Sequence, residues 1–489
     1  MHEIISLQFG QRSNYLATHF WNTQESYFTY TNEKESIVDH DIHFRPGIGV
    51  DGTETFTPRT VIYDLKGGFG SLRKINALYG IEEPDTLDIL WNKPAVIQRL
   101  DSIEKCAYQQ SLEQNLEPES LDSDLVRYWS DYNRVYYHPK SIVQLNEYEV
   151  GSTSRPFDSW DESNGCFAAR YLEQIKDEYS KTDVIFWGLE EDITTEPREK
   201  RHTSLLNVAK SVSVITPEST LFIPLTLPSK ALPPYVTLER KSKWHVSALL
   251  SVAVESMTLL SRLRQNNIYR ETLDQLECML NTNGRQNITK LCMSIDQDSS
   301  NYDDVAVVPK ISELSRDTQL LSTKKSSHVP VMETKSNIEV FDINFFPTEI
   351  GDQVTRRPLK KLHVFSQYEI HRKNSHTQDC KVNEKIQNEP FQKIGGSILP
   401  VVSRKIVPLP FPLLDSFPQI FDRSGTPSSV TVRTSLMVDS SIVSRLKGLE
   451  YIASRAVATD EREALSNSLG ELAEAYEEGW DSGSDEGED

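Results

Sequence analysis

MHEIISLQFGQRSNYLATHFW, residues 1–21, decides how the chain begins to fold. Residues 3–7 form a short apolar run that meets Gly10, and beyond it Leu16, Phe20 and Trp21 fall close to one face of a helix. The order is strand, glycine turn, helix. After a polar insertion it repeats: residues 60–65 (TVIYDL) are strand-like, Gly67, Gly68 and Gly70 interrupt them, and residues 71–78 can be helical. Two such units in succession predict an α/β layer with a parallel sheet.

The alternation continues outward. Helices are predicted over residues 100–116 and 121–137, the second ended by Pro139, and a strand over 141–145. A helix at 165–179, strands at 183–189 and 219–225, and a helix at 244–263 complete the pattern of a doubly wound sheet. The texture then changes. Residues 281–302 and 322–337 are rich in Asn, Ser, Thr, Lys and Asp and read as loops. Short strands at 338–345, 398–407 and 428–438 predict a smaller α+β unit. Asp460 and Glu463 resemble a capping box ahead of a helical stripe of Leu465, Leu469, Leu472 and Tyr476. The predicted segments are therefore 1–120 and 121–280 for the doubly wound part, 281–337 for a polar linker, 338–458 for the α+β part, and 459–489 for a helix with an acidic tail.

The 489 residues carry 52 Lys and Arg against 72 Asp and Glu, a net charge of −20. Nine of the negative charges and no positive one lie in residues 471–489, which leaves the body at −11. A nucleic-acid binder neutralises phosphates with a basic face, so direct nucleic-acid contact is not expected. The hydrophobic fraction of 37% fits a globular framework with long polar insertions. Five scattered cysteines, Cys106, Cys166, Cys278, Cys292 and Cys380, argue for a reducing compartment rather than a disulfide framework. The first residues lack the features of a cleaved targeting signal. The apolar run 246–263 contains Ser247, Ser251, Glu255, Ser256, Thr258 and Ser261, so it reads as a core helix, and membrane contact is expected to be peripheral at most.

Chemistry is concentrated at the two glycine turns. A helix start flanked by small residues offers backbone N–H groups and a positive dipole end to phosphate. Neither turn is a nucleotide fingerprint: Arg73 stands where G-x-G-x-x-G needs its third glycine, and no G-x-x-x-x-G-K-[ST] occurs. His371, His376 and Cys380 have zinc-ligand types but lie in a polar stretch without a clear fourth ligand, so a solvated loop is expected there and no metal site. No nucleophile elbow or H-E-x-x-H is present. The aromatic run 128–139 is expected to pack as a helix on the sheet. The acidic end reads as a solvated tail with a second use as bait for a basic partner.

Three stretches, in order, resemble tubulin. The opening matches its start at Met1, Glu3, Ile4, Gln8, Gly10, Gln11, Asn14, Phe20 and Trp21; residues 58–65 (PRTVIYDL) look like its P-R-A-V-x-x-D-L; and residues 165–179 are similar to the helix after its glycine-rich loop. The departures fall on nucleotide chemistry. The phosphate-wrapping G-G-G-T-G-S-G loop is reduced to Asn164-Gly165, Arg12-Ser13 replaces Cys-Gly, Lys66 stands where tubulin places a glutamate near magnesium, and the G-x-x-N-x-D segment that completes hydrolysis is missing. This combination, with residues 131–141 and the helix 244–263, resembles the Misato family, known in fungi for mitochondrial distribution, morphology and DNA inheritance. The resemblance implies a tubulin-like fold and a non-enzymatic protein of organelle partitioning. It implies location at mitochondria, at the cytosolic face of the outer membrane with some in the cytoplasm, and protein partners there or on the cytoskeleton. It also implies a degenerate nucleotide pocket at Gly10, Gln11, Asn14, Asp64, Gly67, Gly68 and Gly165, with no catalytic or metal residues and no cofactor. The alternative is a GTP-binding or GTP-hydrolysing cytoskeletal protein of the tubulin superfamily.

Overall fold

The computed structural model describes residues 3–29, 35–65, 67–80, 103–145, 164–192, 197–229, 231–296, 341–347, 362–373, 401–422, 428–456 and 459–477. Strand β1 (Ser6–Phe9) runs directly into helix α1 (Gly10–Ser26). Gly10 makes that junction at φ +83°, a left-handed conformation that costs glycine little. A hairpin of β2 (Phe44–Ile48) and β3 (Glu54–Pro58) leads into β4 (Thr60–Leu65), followed by α2 (Ala107–Glu113), β5 (Ile142–Leu145) and α3 (Asn164–Glu178). Next come β6 (Ile185–Leu189), α4 (Arg198–Glu218), β7 (Leu221–Leu225) and α5 (Lys243–Thr258), which continues as a 3-10 turn, Leu259–Arg262. The rest of the chain forms α6 (Leu273–Leu280), β8 (Lys290–Ile295), β9 (Ile343–Asn344), β10 (Val364–Arg372), β11 (Val401–Val407), β12 (Phe411–Pro412), β13 (Ser429–Val430), β14 (Val432–Asp439), α7 (Ile442–Ala456) and α8 (Thr459–Glu474).

The first half is α/β. β4 lies between β1 and β5, parallel to both, with Ser6 opposite Thr60 and Ile62 opposite Ile142. β6 and β7 form a second parallel pair, Ile185 opposite Leu221. All five residues of β7 (LFIPL) are buried, as expected of a strand covered on both faces. The second half is a mixed sheet in the order β11-β10-β14-β8-β9. One hydrophobic core spans both halves: α4, β7 and α5 share it with β8, β10, β14, α7 and α8. Helix α5 is its axis, buried along most of its length, its polar residues Ser247, Ser251, Glu255 and Ser256 included. Residues Lys243–Arg262 are long and apolar enough to cross a membrane, but 78% of that stretch is buried inside the fold.

Helix α8 shows how a marginal segment is held. Leu465, Leu469 and Tyr476 are buried from the predicted stripe, each side chain stabilising by about 1.5–3 kcal/mol when fully buried. The Tyr476 hydroxyl also accepts a 2.7 Å hydrogen bond from the Ile288 amide.

Several expectations are corrected. Residues 71–78 form turns instead of a helix. Gly70 bends the chain at φ +59°, a Cβ there would lie 2.5 Å from Ser130 Oγ, and Asn76 is drawn away to the Tyr137 carbonyl. The helix expected over 100–116 contracts to α2 within the described residues. The one expected over 121–137 is an extended segment with a short 3-10 turn, Trp129–Tyr132. There the Asp131 carboxylate captures the amides of Arg127 and Tyr128 at 2.9 Å, and the Tyr132 hydroxyl reaches the Tyr15 carbonyl. Side-chain acceptors have taken over donors that a helix would have used. The aromatics are nonetheless core, with Trp129, Tyr132 and Tyr137 buried. The loop expected over 281–302 contains β8, all six residues buried. His371 is no solvated loop residue: it sits in β10, its Nε2 2.8 Å from Asp296 Oδ2. The hairpin β2–β3, α4, β10 and α7 were not expected. Residues 322–337, His376, Cys380 and the tail 478–489 lie outside the described residues.

Candidate functional site

Ligands of open parallel sheets bind at the carboxyl ends of the strands. Here those ends bring together the start of α1 and the turn after β4. Phe167 of α3 packs edge-on against Phe9 of β1 at 5.7 Å and against Tyr63 of β4 at 5.5 Å, which sets that helix against the same sheet. Six of the seven residues expected in the pocket, all but Gly165, belong to the two glycine turns, which the β1–β4 pairing places side by side.

Asp64 is the centre. It is fully buried at the end of β4 and accepts three hydrogen bonds: Leu65 N at 2.8 Å on Oδ1, and Asn14 Nδ2 at 2.8 Å and Trp129 Nε1 at 3.3 Å on Oδ2. These donors offset the cost of burying a carboxyl group. Gly68 folds over it so closely that a Cβ would lie 2.3 Å from Asp64 Oδ1, while Gly67 makes the turn at φ +86°. These two glycines are thus required by the approach of backbone to carboxylate. Asn14 is also fully buried, and its Oδ1 meets no hydrogen-bond partner among the described residues.

The rim is cationic. The first turn of α1 has no side-chain cap and no acidic residue, so its amides and dipole are left to another acceptor. Arg12, in that turn, forms an ion pair with Glu191 just beyond β6. Lys243, the first residue of α5, donates to Gln11 Oε1 at 2.9 Å. The uncapped turn fits an anionic group such as phosphate, and the orphaned Asn14 oxygen, an acceptor, fits a donor group on a ligand. Asp64, committed to donors inside the fold, does not fit a metal ligand.

Sequence reasoning missed Trp129, Lys243 and Glu191 here; of these only Trp129, inside a conspicuous aromatic run, left a signal. It also missed a second polar centre. Glu255 of α5 is fully buried between two fully buried guanidiniums. Arg262 Nη2 donates to Glu255 Oε1 and to its carbonyl, both at 2.6 Å. Arg372 of β10 pairs with Glu255 Oε2 through Nη1 and reaches the Tyr27 hydroxyl of α1 through Nη2 at 2.8 Å. Tyr27 and Gln24 donate to Glu255 Oε1 at 3.0 and 3.3 Å. Phe20 and Phe411 lie under the two guanidiniums at 5.2 and 5.4 Å. Burial alone would raise the Glu255 carboxyl, but Arg372 and Arg262 together hold it below its ordinary value. The two charged residues in the apolar run 246–263, Glu255 and Arg262, were the available sign.

Comparison with known proteins agrees with this architecture. Residues 2–114 match the Misato Segment II tubulin-like domain, and residues 118–164 and 159–263 match a tubulin domain. The Neurospora crassa protein dml-1 is 44% identical, with all of both chains aligned. Protein DML1 of Coccidioides immitis is 40% identical and that of Yarrowia lipolytica 25%, again over the whole of both chains. A tubulin-like sheet with a departed phosphate turn, and identity of this order from end to end, place the chain in the Misato family of tubulin-like proteins, together with the fungal DML1 proteins.

Proposed function

We propose that the protein is a non-enzymatic, tubulin-like scaffold of mitochondrial partitioning, acting on organelle morphology and mitochondrial DNA inheritance through protein partners at the cytosolic face of the outer membrane. The mitochondrial part rests on the family resemblance. The non-enzymatic part rests on one observation: Asp64, the acidic residue at the pocket, is consumed by Asn14, Trp129 and its own following amide. The Arg12–Glu191 pair beside it supplies an internal anion where a ligand's charge would otherwise be the partner. The net charge of −20 favours action on the organelle that carries the DNA over direct phosphate contacts.

Depleting the protein, counting mitochondrial DNA and imaging the network tests the organelle role. The expected result is lost DNA and aggregated or fragmented mitochondria; unchanged organelles overturn it. Carbonate washing of mitochondria is expected to release the protein, as befits peripheral attachment. The second reading, GTP binding, is favoured by the uncapped first turn of α1 and the unpartnered Asn14 Oδ1. Purified protein incubated with labelled GTP and magnesium separates the two. No phosphate release supports the scaffold, whereas saturable binding with turnover, abolished by Gln11→Ala, replaces it with the GTPase.

A further inference from the structure

The β2–β3 hairpin has two unlike faces. In its register Pro46 stands opposite Phe56 and Ile48 opposite Glu54, so these four share a face, while Gly47, Thr55 and Thr57 share the other. The second face is covered: Thr55 and Thr57 are buried, and the space beside Gly47 meets the Tyr79 hydroxyl. The first face is bare among the described residues, with Ile48 76% exposed, Phe56 41%, and Val50 in the adjoining turn 59%. It is continuous with the core, because Phe28 packs against both buried Phe44 and exposed Phe56 at 5.0 and 5.6 Å. A contiguous apolar surface on a rigid element marks an interaction site.

We propose that this face receives a basic amphipathic helix of a partner protein. Strand addition at the β2 edge is disfavoured, since Pro46 at its middle has no N–H to offer. What remains is side-chain docking, the mode in which a helix lays its apolar stripe on a hydrophobic surface. The charges name the partner. Glu54 lies on the face itself and Asp51 is exposed in its turn, while the exposed cation of the hairpin, Arg45, falls on the opposite face with Thr57. The charges beside the bare face are therefore acidic, and the body outside the tail is negative as well. A second copy would set acid against acid. Residues 81–102 of this chain fail the same test, with Glu82, Glu83, Asp85, Asp88 and Asp101 against Lys93 and Arg99. An anionic bilayer fails it too. A helix with Lys or Arg flanking its apolar stripe satisfies both the face and the rim.

The full-length protein carrying benzoylphenylalanine in place of Ile48 tests this when irradiated in intact cells, with the crosslinked peptide sequenced by mass spectrometry. The expected adduct is a segment of another protein with apolar residues at helical spacing and a net positive charge. Glu54→Lys should lower its yield by roughly five-fold or more without moving the melting temperature. An adduct within the same chain, between two copies, with lipid or with an acidic segment overturns the proposal, as does no adduct or one indifferent to Glu54→Lys.

Discussion

Asp64 and Glu255 are both fully buried carboxylates, and their hydrogen-bonding needs are met in opposite ways. Asp64 is solvated by dipoles: a following amide, an asparagine amide and an indole N–H, from residues within or near the tubulin-like sheet. Glu255 is held by full charges, Arg262 on its own helix and Arg372 from the C-terminal sheet, with Tyr27 of α1 closing the circle. The first arrangement shapes one end of a sheet. The second joins three parts of the chain and leaves one more positive than negative charge among its three ionised groups. The difference teaches what each kind of support does: the end of the tubulin-like sheet is held by neutral dipoles, while the junction with the C-terminal sheet depends on an ion cluster.

The hardest blow to that contrast is Glu255→Leu. It strands two buried guanidiniums and should cost about 3–5 kcal/mol in denaturant unfolding, with both halves melting together because they share a core. A loss below about 1 kcal/mol would mean the cluster does not hold the halves. Acidification comes next. His19 and His43 are each pushed down to about 3, chiefly by burial, with Arg262 adding to the effect on His43. The unfolded chain therefore takes up these protons at higher pH than the folded one, and stability present above pH 6.5 drains as pH falls toward 3. Between pH 7 and 5.5 the two rings should remove about 2–3 kcal/mol, and His43→Gln should flatten roughly half of that slope in urea titrations.

Asp64→Asn probes the other carboxylate. It turns one acceptor into a donor facing Asn14, Trp129 or Leu65 N, and a loss of about 1.5–3 kcal/mol is expected, smaller than at Glu255 because no buried charge is stranded. An equal loss at the two sites would erase the distinction between dipolar and ionic support. The smallest effect belongs to Arg12→Ala. Its partner Glu191 is more than half exposed, so thermal unfolding should shift by less than about 1 kcal/mol.

Much of the first half was legible. The strand–glycine–helix order at residues 1–21, the strand 60–65 with its glycine turn, the buried strand 219–225 and the apolar run 246–263 are local patterns, and each became the element it suggested, whereas the helix expected after the second turn did not form. That the two glycine turns would lie side by side was legible for the same reason, since the strands before them pair in parallel. Residues 121–137 were not: their aromatic spacing reads as a helix, and only the capture of amides by Asp131 and of backbone by Tyr132 makes the segment extended. β8 was hidden too, since KLCMSI has no alternation and lies in a polar stretch; its burial comes from pairing with β14, more than a hundred residues later.

The sequence by itself determined the periodicities, the glycines at Gly10, Gly67 and Gly68, and the charge balance, because each depends on neighbours within a few residues. The tertiary structure alone decided that Asp64 would be shut in by Trp129, that Glu255 would lie between Arg262 and Arg372, and that one hairpin face would stay bare among the described residues. Those outcomes depend on which distant groups a buried charge or apolar face meets, and a linear pattern carries no record of that meeting.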